Sequence, residues 1–138
     1  TLSNNILSGS IPPELLKLSN LNELYLNGNQ LNGPIPSKLG DLALHNNTFS
    51  GSIPPELGKL SKLEYLYLKD NQLNGPIPPE LGNISNLTEL ILNNNNLNGN
   101  ISPEFGKLSK LNELYLNNNK LNGSIPPEIE KLSNLEKL

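Results

Sequence analysis

The stretch Leu92–Ser102 reads LNNNNLNGNIS, and its pattern recurs along the chain. It returns as LNGNQLNGPIP from Leu26, LKDNQLNGPIP from Leu68 and LNNNKLNGSIP from Leu116. Four consecutive asparagines would ordinarily suggest disorder, because a polar run buries too little apolar surface to offset the entropy of ordering. Only the third, Asn95, belongs to a column that repeats without change, with Asn5, Asn29, Asn47, Asn71 and Asn119. We therefore predict that Asn95 has a structural role and that its neighbours are solvent-facing fillers.

A column of glycines gives the period of the repeat. Its members are Gly9, Gly33, Gly51, Gly75, Gly99 and Gly123, which are 24, 18, 24, 24 and 24 residues apart. A period of this size is typical of a solenoid, in which each coil buries its apolar residues against the next coil. We predict one array over residues 1–138, with about six repeats of 24 residues, one of them shortened to 18. Both ends fall in mid-repeat, so we expect an excerpt of a longer array or a unit that stacks head to tail.

The 18-residue repeat lies within LGDLALHNNTFSG, residues Leu39–Gly51. It lacks the block equivalent to SNLNEL at Ser19–Leu24. A coil of this length is shorter than the usual minimum of ~20 residues. Either the solenoid is pinched here or six residues are missing. We favour the second interpretation, which predicts an interruption of the chain between Asp41 and Leu44.

The repeat LSKLNELYLNNNKLNGSIPPEIEK, which begins at Leu108, predicts a short strand. Leu114-Tyr115-Leu116 alternates as a half-buried strand does, with the leucines inward and Tyr115 outward. Stacking such strands at ~4.8 Å gives a parallel sheet, which we expect to form the inner, concave wall. The buried turn that follows needs partners for its backbone, and an inward asparagine such as Asn95 can supply them to its own and the adjacent coil.

The rest of each repeat predicts a bend and a short helical turn. In L-x-G-x-I-P, the leucine and isoleucine point inward and the glycine permits a sharp bend. The segment PPELGKLS at Pro54–Ser61 then has Pro and Glu for a first helical turn, Gly58 for its C-terminal exit and Lys59 for its negative end. We place this turn on the convex side.

These residues resemble the plant-specific class of leucine-rich repeats, LxxLxLxxNxLxGxIPxxLGxLxx, over the whole chain. That class is found in receptor-like kinase ectodomains and in polygalacturonase-inhibiting proteins. The resemblance implies a leucine-rich repeat solenoid with a parallel concave β-sheet and short helical turns on the convex side. It also implies a general role in recognition, because one repeat class serves many partners.

The composition argues against several classes of function. The net charge is -3, and all ten basic residues are lysines, which speaks against nucleic acid as a partner. No cysteine is present, so there is neither a disulfide nor a thiolate metal site. No apolar run approaches the ~20 residues that span a bilayer. We expect no cofactor and no membrane span in this chain.

The outward positions of the predicted sheet are our candidate ligand-binding residues, because all four tyrosines lie there and tyrosine is favoured at binding hot spots. The alternative is that tyrosine is simply a good strand residue. The candidates are Glu23, Tyr25, Asn27, His45, Tyr65, Tyr67, Lys69, Glu89, Ile91, Asn93, Glu113, Tyr115 and Asn117.

We expect no catalytic residues and no metal site. Glu89 and Glu113 should lie side by side, near the ~5 Å separation of a retaining glycosidase pair, but an open sheet offers no pocket to raise one pKa. His45 is the only histidine and has no Cys, second His or Ser-Asp relay at a useful spacing. We expect it to be an exposed strand residue.

Candidate glycosylation sites are the N-x-S/T sequons at Asn46, Asn83, Asn86, Asn100 and Asn122. Asn83 and Asn86 should lie on an exposed turn before a strand.

Our interpretation is a non-enzymatic, receptor-like recognition scaffold, extracellular or at the cell surface, that binds a protein or peptide on its concave face. A structural or surface-adsorbing protein, similar to ice-binding members of the resembled class, is one alternative. Its array would be the column Ser8, Asn32, Ser50, Asn74, Asn98 and Asn122. A self-stacking filament, with head-to-tail association, is the other.

Overall fold

The computed structural model describes residues 1–12, 14–15, 23–35 and 41–138. Strands are numbered β1–β11 in chain order. The even-numbered strands form one sheet, which we call the first sheet, and the odd-numbered strands pair among themselves. The first sheet contains β2 (Glu23–Tyr25), β4 (Asp41–Ala43), β6 (Tyr65–Tyr67), β8 (Glu89–Ile91) and β10 (Glu113–Tyr115). The remaining strands are β1 (Ser8–Ser10), β3 (Gln30–Asn32), β5 (Ser50–Gly51), β7 (Gln72–Pro76), β9 (Asn96–Gly99) and β11 (Lys120–Leu121).

The strands of the first sheet pair in parallel and in chain order. Leu66 pairs with Leu90, and Leu90 with Leu114, so equivalent positions of successive repeats stand side by side. The Glu113–Lys137 bridge continues the same register. This arrangement confirms the predicted parallel sheet of stacked coils.

The core lies between the strands and the turns and is built from the inward leucines, isoleucines and phenylalanines of each coil. Leu66, Leu90 and Leu114 are fully buried, as are Phe49 and Phe105, which occupy leucine positions. Burial of one such side chain contributes ~1.5–3 kcal/mol. The repeated inward pattern is therefore the main source of stability.

Asn95 is buried, at 8% exposure, whereas Asn94 and Asn96 are exposed and Asn93 is half-buried. Its Oδ1 accepts a hydrogen bond from the N–H of Leu73 at 3.0 Å, and its Nδ2 donates to the carbonyls of Leu68 at 3.0 Å and Leu92 at 3.1 Å. Leu68 and Leu73 belong to the preceding coil. The predicted role of Asn95, to satisfy the backbone of its own and the adjacent coil, is confirmed.

Asn94 faces solvent as predicted, but the prediction that it is only a filler is wrong. It has φ of 58°, and the equivalent residues Asn4, Asn46, Asp70 and Asn118 have φ between 55° and 57°. This left-handed conformation suits Asn, Asp and Gly and penalises other residues. Gly28 fills the same position in its repeat, with φ of 67°. Asn94 is thus solvent-facing but restricted by its backbone.

The L-x-G segment forms strands rather than only a bend. β1 pairs with β3, and β5, β7, β9 and β11 form a four-stranded sheet, all in parallel. The repeat period brings the same segment of each coil into register, so its backbone groups find partners in the next coil. Sequence analysis missed these strands because two polar residues and a glycine around a single leucine are a weak strand signal.

The predicted helical turns are short 3-10 turns. They span Pro55–Lys59, Pro79–Asn83, Pro103–Lys107 and Pro127–Lys131. The expectation that Gly58 ends its turn is wrong, because Gly58 lies inside Pro55–Lys59 and lacks a positive φ. A Cβ at Gly58 would instead meet the backbone carbonyl of Glu80 in the next coil. The glycine is needed for the close stacking of turns.

The shortened repeat keeps its place in the first sheet. Leu42 pairs with Leu24 on one side and Leu66 on the other. Asp41–Ala43 form one uninterrupted strand and Leu44 N–H continues to the carbonyl of Tyr67, which corrects the expected interruption between Asp41 and Leu44. Residues 36–40, which precede this strand, lie outside the described residues.

Candidate functional site

The outward side chains of the first sheet and of the residues just after its strands form the open face of the molecule. The register aligns them in columns, so Tyr65, Glu89 and Glu113 stand next to one another on β6, β8 and β10. The adjacent column, which we call the central column, consists of Tyr25, Ala43, Tyr67, Ile91 and Tyr115. Columns of identical register place side chains of successive repeats ~4.8 Å apart.

A cavity of about 490 Å³ lies on this open face. Its lining residues are His45, Tyr67, Lys69, Glu89, Ile91, Asn93, Glu113 and Tyr115, each of which is a sequence-predicted candidate. The candidates Glu23, Tyr25, Asn27, Tyr65 and Asn117 do not line it. Tyr65 is nevertheless close, because its ring centroid lies 6.1 Å from that of Tyr67.

The central column is less exposed than a row of outward side chains would be. Ala43 has 2% exposure and Ile91 has 8%. Small and aliphatic side chains in this column are covered by larger neighbours such as Tyr67, which is half-buried. Ile91 therefore lines the cavity with little of its own surface exposed.

Tyr67 and Glu89, which both line the cavity, form a short polar contact. The Tyr67 hydroxyl donates a hydrogen bond to Oε2 of Glu89 at 2.5 Å, and this bond joins β6 to the neighbouring strand β8. Burial, and then this bond and the charge of Glu89, raise the pKa of Tyr67 far above its ordinary value of 10.0. The hydrogen bond to Glu89 also restrains the Tyr67 ring at the wall of the cavity.

His45 is half-buried and follows β4 rather than lying in it, which corrects the expectation of an exposed strand residue. Its ring meets that of Tyr67 edge-on, with centroids 6.1 Å apart and planes at 71°. Burial and then the neighbouring charge of Lys69 lower the pKa of His45, although Asp70 opposes the effect. Its Nδ1 is buried and finds no hydrogen-bond partner among the residues that the structure describes.

Glu113 has a cationic neighbour, Lys137, on the side of β10 away from β8. Lys137 Nζ donates to Oε1 of Glu113 at 2.6 Å, and this bond raises the pKa of Lys137. Glu89 has no such neighbour among the residues that the structure describes. The acidic residues of the cavity thus lie in one column, and Lys69 lies in another.

No group of three or more His, Asp or Glu side chains that could hold a metal ion occurs in the described residues. Within the same residues no helix is long and apolar enough to cross a bilayer.

The sequons differ in accessibility. Asn83, Asn100 and Asn122 are exposed, whereas Asn46 is exposed but held at φ of 56°. Asn86 is half-buried, and its Nδ2 donates to the Ser61 carbonyl at 2.7 Å. Its amide already connects two coils.

The comparisons with known proteins identify the repeat. A family model described as Leucine Rich Repeat matches residues 20–42, 38–60, 62–84, 86–108 and 110–132. The chain belongs to the leucine-rich repeat family. No curated protein matches it.

Solved structures of plant receptors share the fold. The plant peptide hormone receptor RGFR1, in complex with RGF2, superposes with a TM-score of 0.95 at 36% identity, over 98% of this chain and 23% of that chain. The ectodomain of the Arabidopsis receptor kinase HAESA, in complex with an IDA peptide hormone, gives 0.94 at 40% identity, over 99% and 24%. A TDR receptor gives 0.93 at 36% identity, over 99% and 25%. The chain thus spans about a quarter of the length of these structures and has the solenoid fold of receptor-kinase leucine-rich repeat ectodomains.

Proposed function

We propose that the chain is a non-enzymatic recognition module, extracellular or at the cell surface, that binds a protein or an extended peptide on the open face of its first sheet. The cavity of about 490 Å³ on that face is the observation that carries the proposal. Its walls combine two tyrosines, an isoleucine, a histidine, an asparagine and side chains of both charges, and mixed apolar and polar walls are typical of ligand sites.

The similar structures support a peptide as the ligand. RGFR1 was solved in complex with RGF2, and HAESA with an IDA peptide hormone. Five strands at ~4.8 Å spacing span ~19 Å, which about six extended residues at ~3.3 Å each would cover. The expectation of a receptor-like, extracellular module rests on the same similarity.

Selection from a display library of random heptapeptides tests the proposal. We expect the folded chain to enrich peptides whose affinity falls roughly thirtyfold when Tyr115 is changed to Ala, because a hot-spot tyrosine contributes ~2 kcal/mol or more. The matched control is Lys59→Ala, on a 3-10 turn away from the cavity. Enriched peptides that lose affinity with Lys59→Ala but not with Tyr115→Ala would place recognition on another surface.

A surface-adsorbing protein is the second candidate. The six residues of this array are all exposed and lie on or beside β1, β3, β5, β7, β9 and β11, which form two separate sheets. They are Ser8, Asn32, Ser50, Asn74, Asn98 and Asn122. Inhibition of ice growth by a chain that selects no peptide would favour this function. Head-to-tail association stays a prediction, which sedimentation of the chain at increasing concentration would test.

A further inference from the structure

We propose that the cavity accommodates a lysine or arginine side chain of the bound peptide, with its cationic group on Glu89 and Glu113. This inference rests on the proposed function and specifies the chemistry of the ligand at one position.

The carboxylates are adjacent and incompletely neutralised. Glu89 and Glu113 pair in register on β8 and β10, and both line the cavity. Among the described residues Lys137 forms an ion pair with Glu113 but not with Glu89, and the Lys137 side chain is 54% exposed. Lys69 lines the cavity as well, but among the described residues no ion pair joins it to Glu89 or Glu113. A cation that enters the cavity would therefore meet Glu89 without a cationic partner, at a place partly removed from water, where attraction is less screened.

Tyr67 leaves Glu89 able to accept another hydrogen bond. Its hydroxyl occupies Oε2, and within the described part of the chain Oε1 has no hydrogen-bond partner. A carboxylate can accept several hydrogen bonds, and bonds from a cation are about twice as strong as those between neutral groups. The Tyr67 hydrogen bond also fixes the position of the carboxylate before the ligand arrives, which lowers the entropic cost of binding.

The remaining walls suit the stem of a basic side chain. Tyr67 and Tyr115 flank Ile91 in the central column and line the cavity with it. Methylene groups of lysine or arginine pack on such apolar and aromatic surfaces while the charged end reaches a polar group. A cation near a tyrosine ring gains further attraction. An acidic side chain placed against Glu89 would instead face a like charge.

The experiment uses the peptides selected on the intact chain. We expect lysine or arginine to be enriched at one fixed position. For a labelled peptide from this selection, fluorescence anisotropy should show about tenfold or greater loss of affinity with Glu89→Gln, because a charge-assisted contact is lost. The same peptide with glutamine at its basic position should bind the wild type and Glu89→Gln equally. Glu56→Gln, on a 3-10 turn, removes the same charge away from the cavity and should have no effect.

Charge reversal gives an independent test. On Glu89→Lys the selection should shift from basic to acidic residues at the same position, provided that circular dichroism shows a folded chain. Selected peptides with no basic preference, or equal losses for the basic and glutamine peptides, would overturn this inference and leave the proposed function intact. A selection that yields no peptide at all would overturn the peptide binding on which this inference rests.

Discussion

The side-chain oxygen of Asn95 accepts a hydrogen bond from the backbone N–H of Leu73, a residue of the preceding coil, at 3.0 Å. The amide nitrogen of Asn95 donates hydrogen bonds to a backbone carbonyl of each of the two coils. One buried side chain thus connects the backbones of two repeats. Asn47 repeats the arrangement with Leu31 and Leu26.

Replacing Asn95 with Ala should lower the free energy of unfolding by ~1–3 kcal/mol, because buried backbone groups lose their partners. Asn96 is exposed, so Asn96→Ala should change stability by less than ~0.5 kcal/mol. Urea denaturation followed by circular dichroism measures both values. Equal losses would contradict the role of Asn95 between coils.

The stability of variants at position 94 should depend on whether the new residue tolerates a left-handed backbone. Asn94→Ala should destabilise the chain by ~1–2 kcal/mol, since alanine disfavours the left-handed φ of 58°. Asn94→Gly should cost less, although both variants lose the hydrogen bonds of this side chain with Asp70 at 2.5 Å and Asn118 at 2.7 Å. Thermal melts of the pair separate the two effects, and an equal cost for Gly and Ala would show that the side-chain bonds decide.

Gly82 should tolerate no side chain. A Cβ there would meet the backbone carbonyl of Glu104 in the next coil. Gly82→Ala should therefore cost ~1–3 kcal/mol through displacement of adjacent turns. Asn83→Ala, at the neighbouring exposed position, is the matched control and should be nearly neutral. A neutral Gly82→Ala in the same melts would show that the turns can separate without cost.

His45 should make stability depend on pH in the acidic range. Its pKa in the folded chain lies below the ordinary value of 6.5, so the unfolded chain binds the proton more readily. The stabilising contribution is complete above pH 6.5 and is lost as the pH falls through the folded-state pKa. Since His45 is the only histidine, NMR titration of a single imidazole measures the shift. His45→Gln should weaken the pH dependence of melting between pH 7 and 5, and a midpoint at or above 6.5 would contradict the prediction.

The open face shows how far the repeat pattern predicts a site. The period placed Tyr67, Glu89 and Tyr115 on one surface, because residues at equal positions of stacked coils must stand side by side. It could not show that the Tyr67 hydroxyl crosses to Glu89, since a column position does not specify a side-chain rotamer. Nor did it show that Ile91 is almost covered by its neighbours, at 8% exposure.

The sequence by itself determined the solenoid, the parallel first sheet and the inward position of Asn95 between two coils, because these follow from which residue types recur at a fixed period. Only the tertiary structure decided the pairing of the L-x-G strands, the conformation of Asn94 and the need for Gly82. Each of these depends on a partner in another coil or on a backbone angle that several residue types permit. Asn94 and Asn95 are the same amino acid, and the chain separates their roles by burying one side chain between two backbones and leaving the other at a left-handed turn.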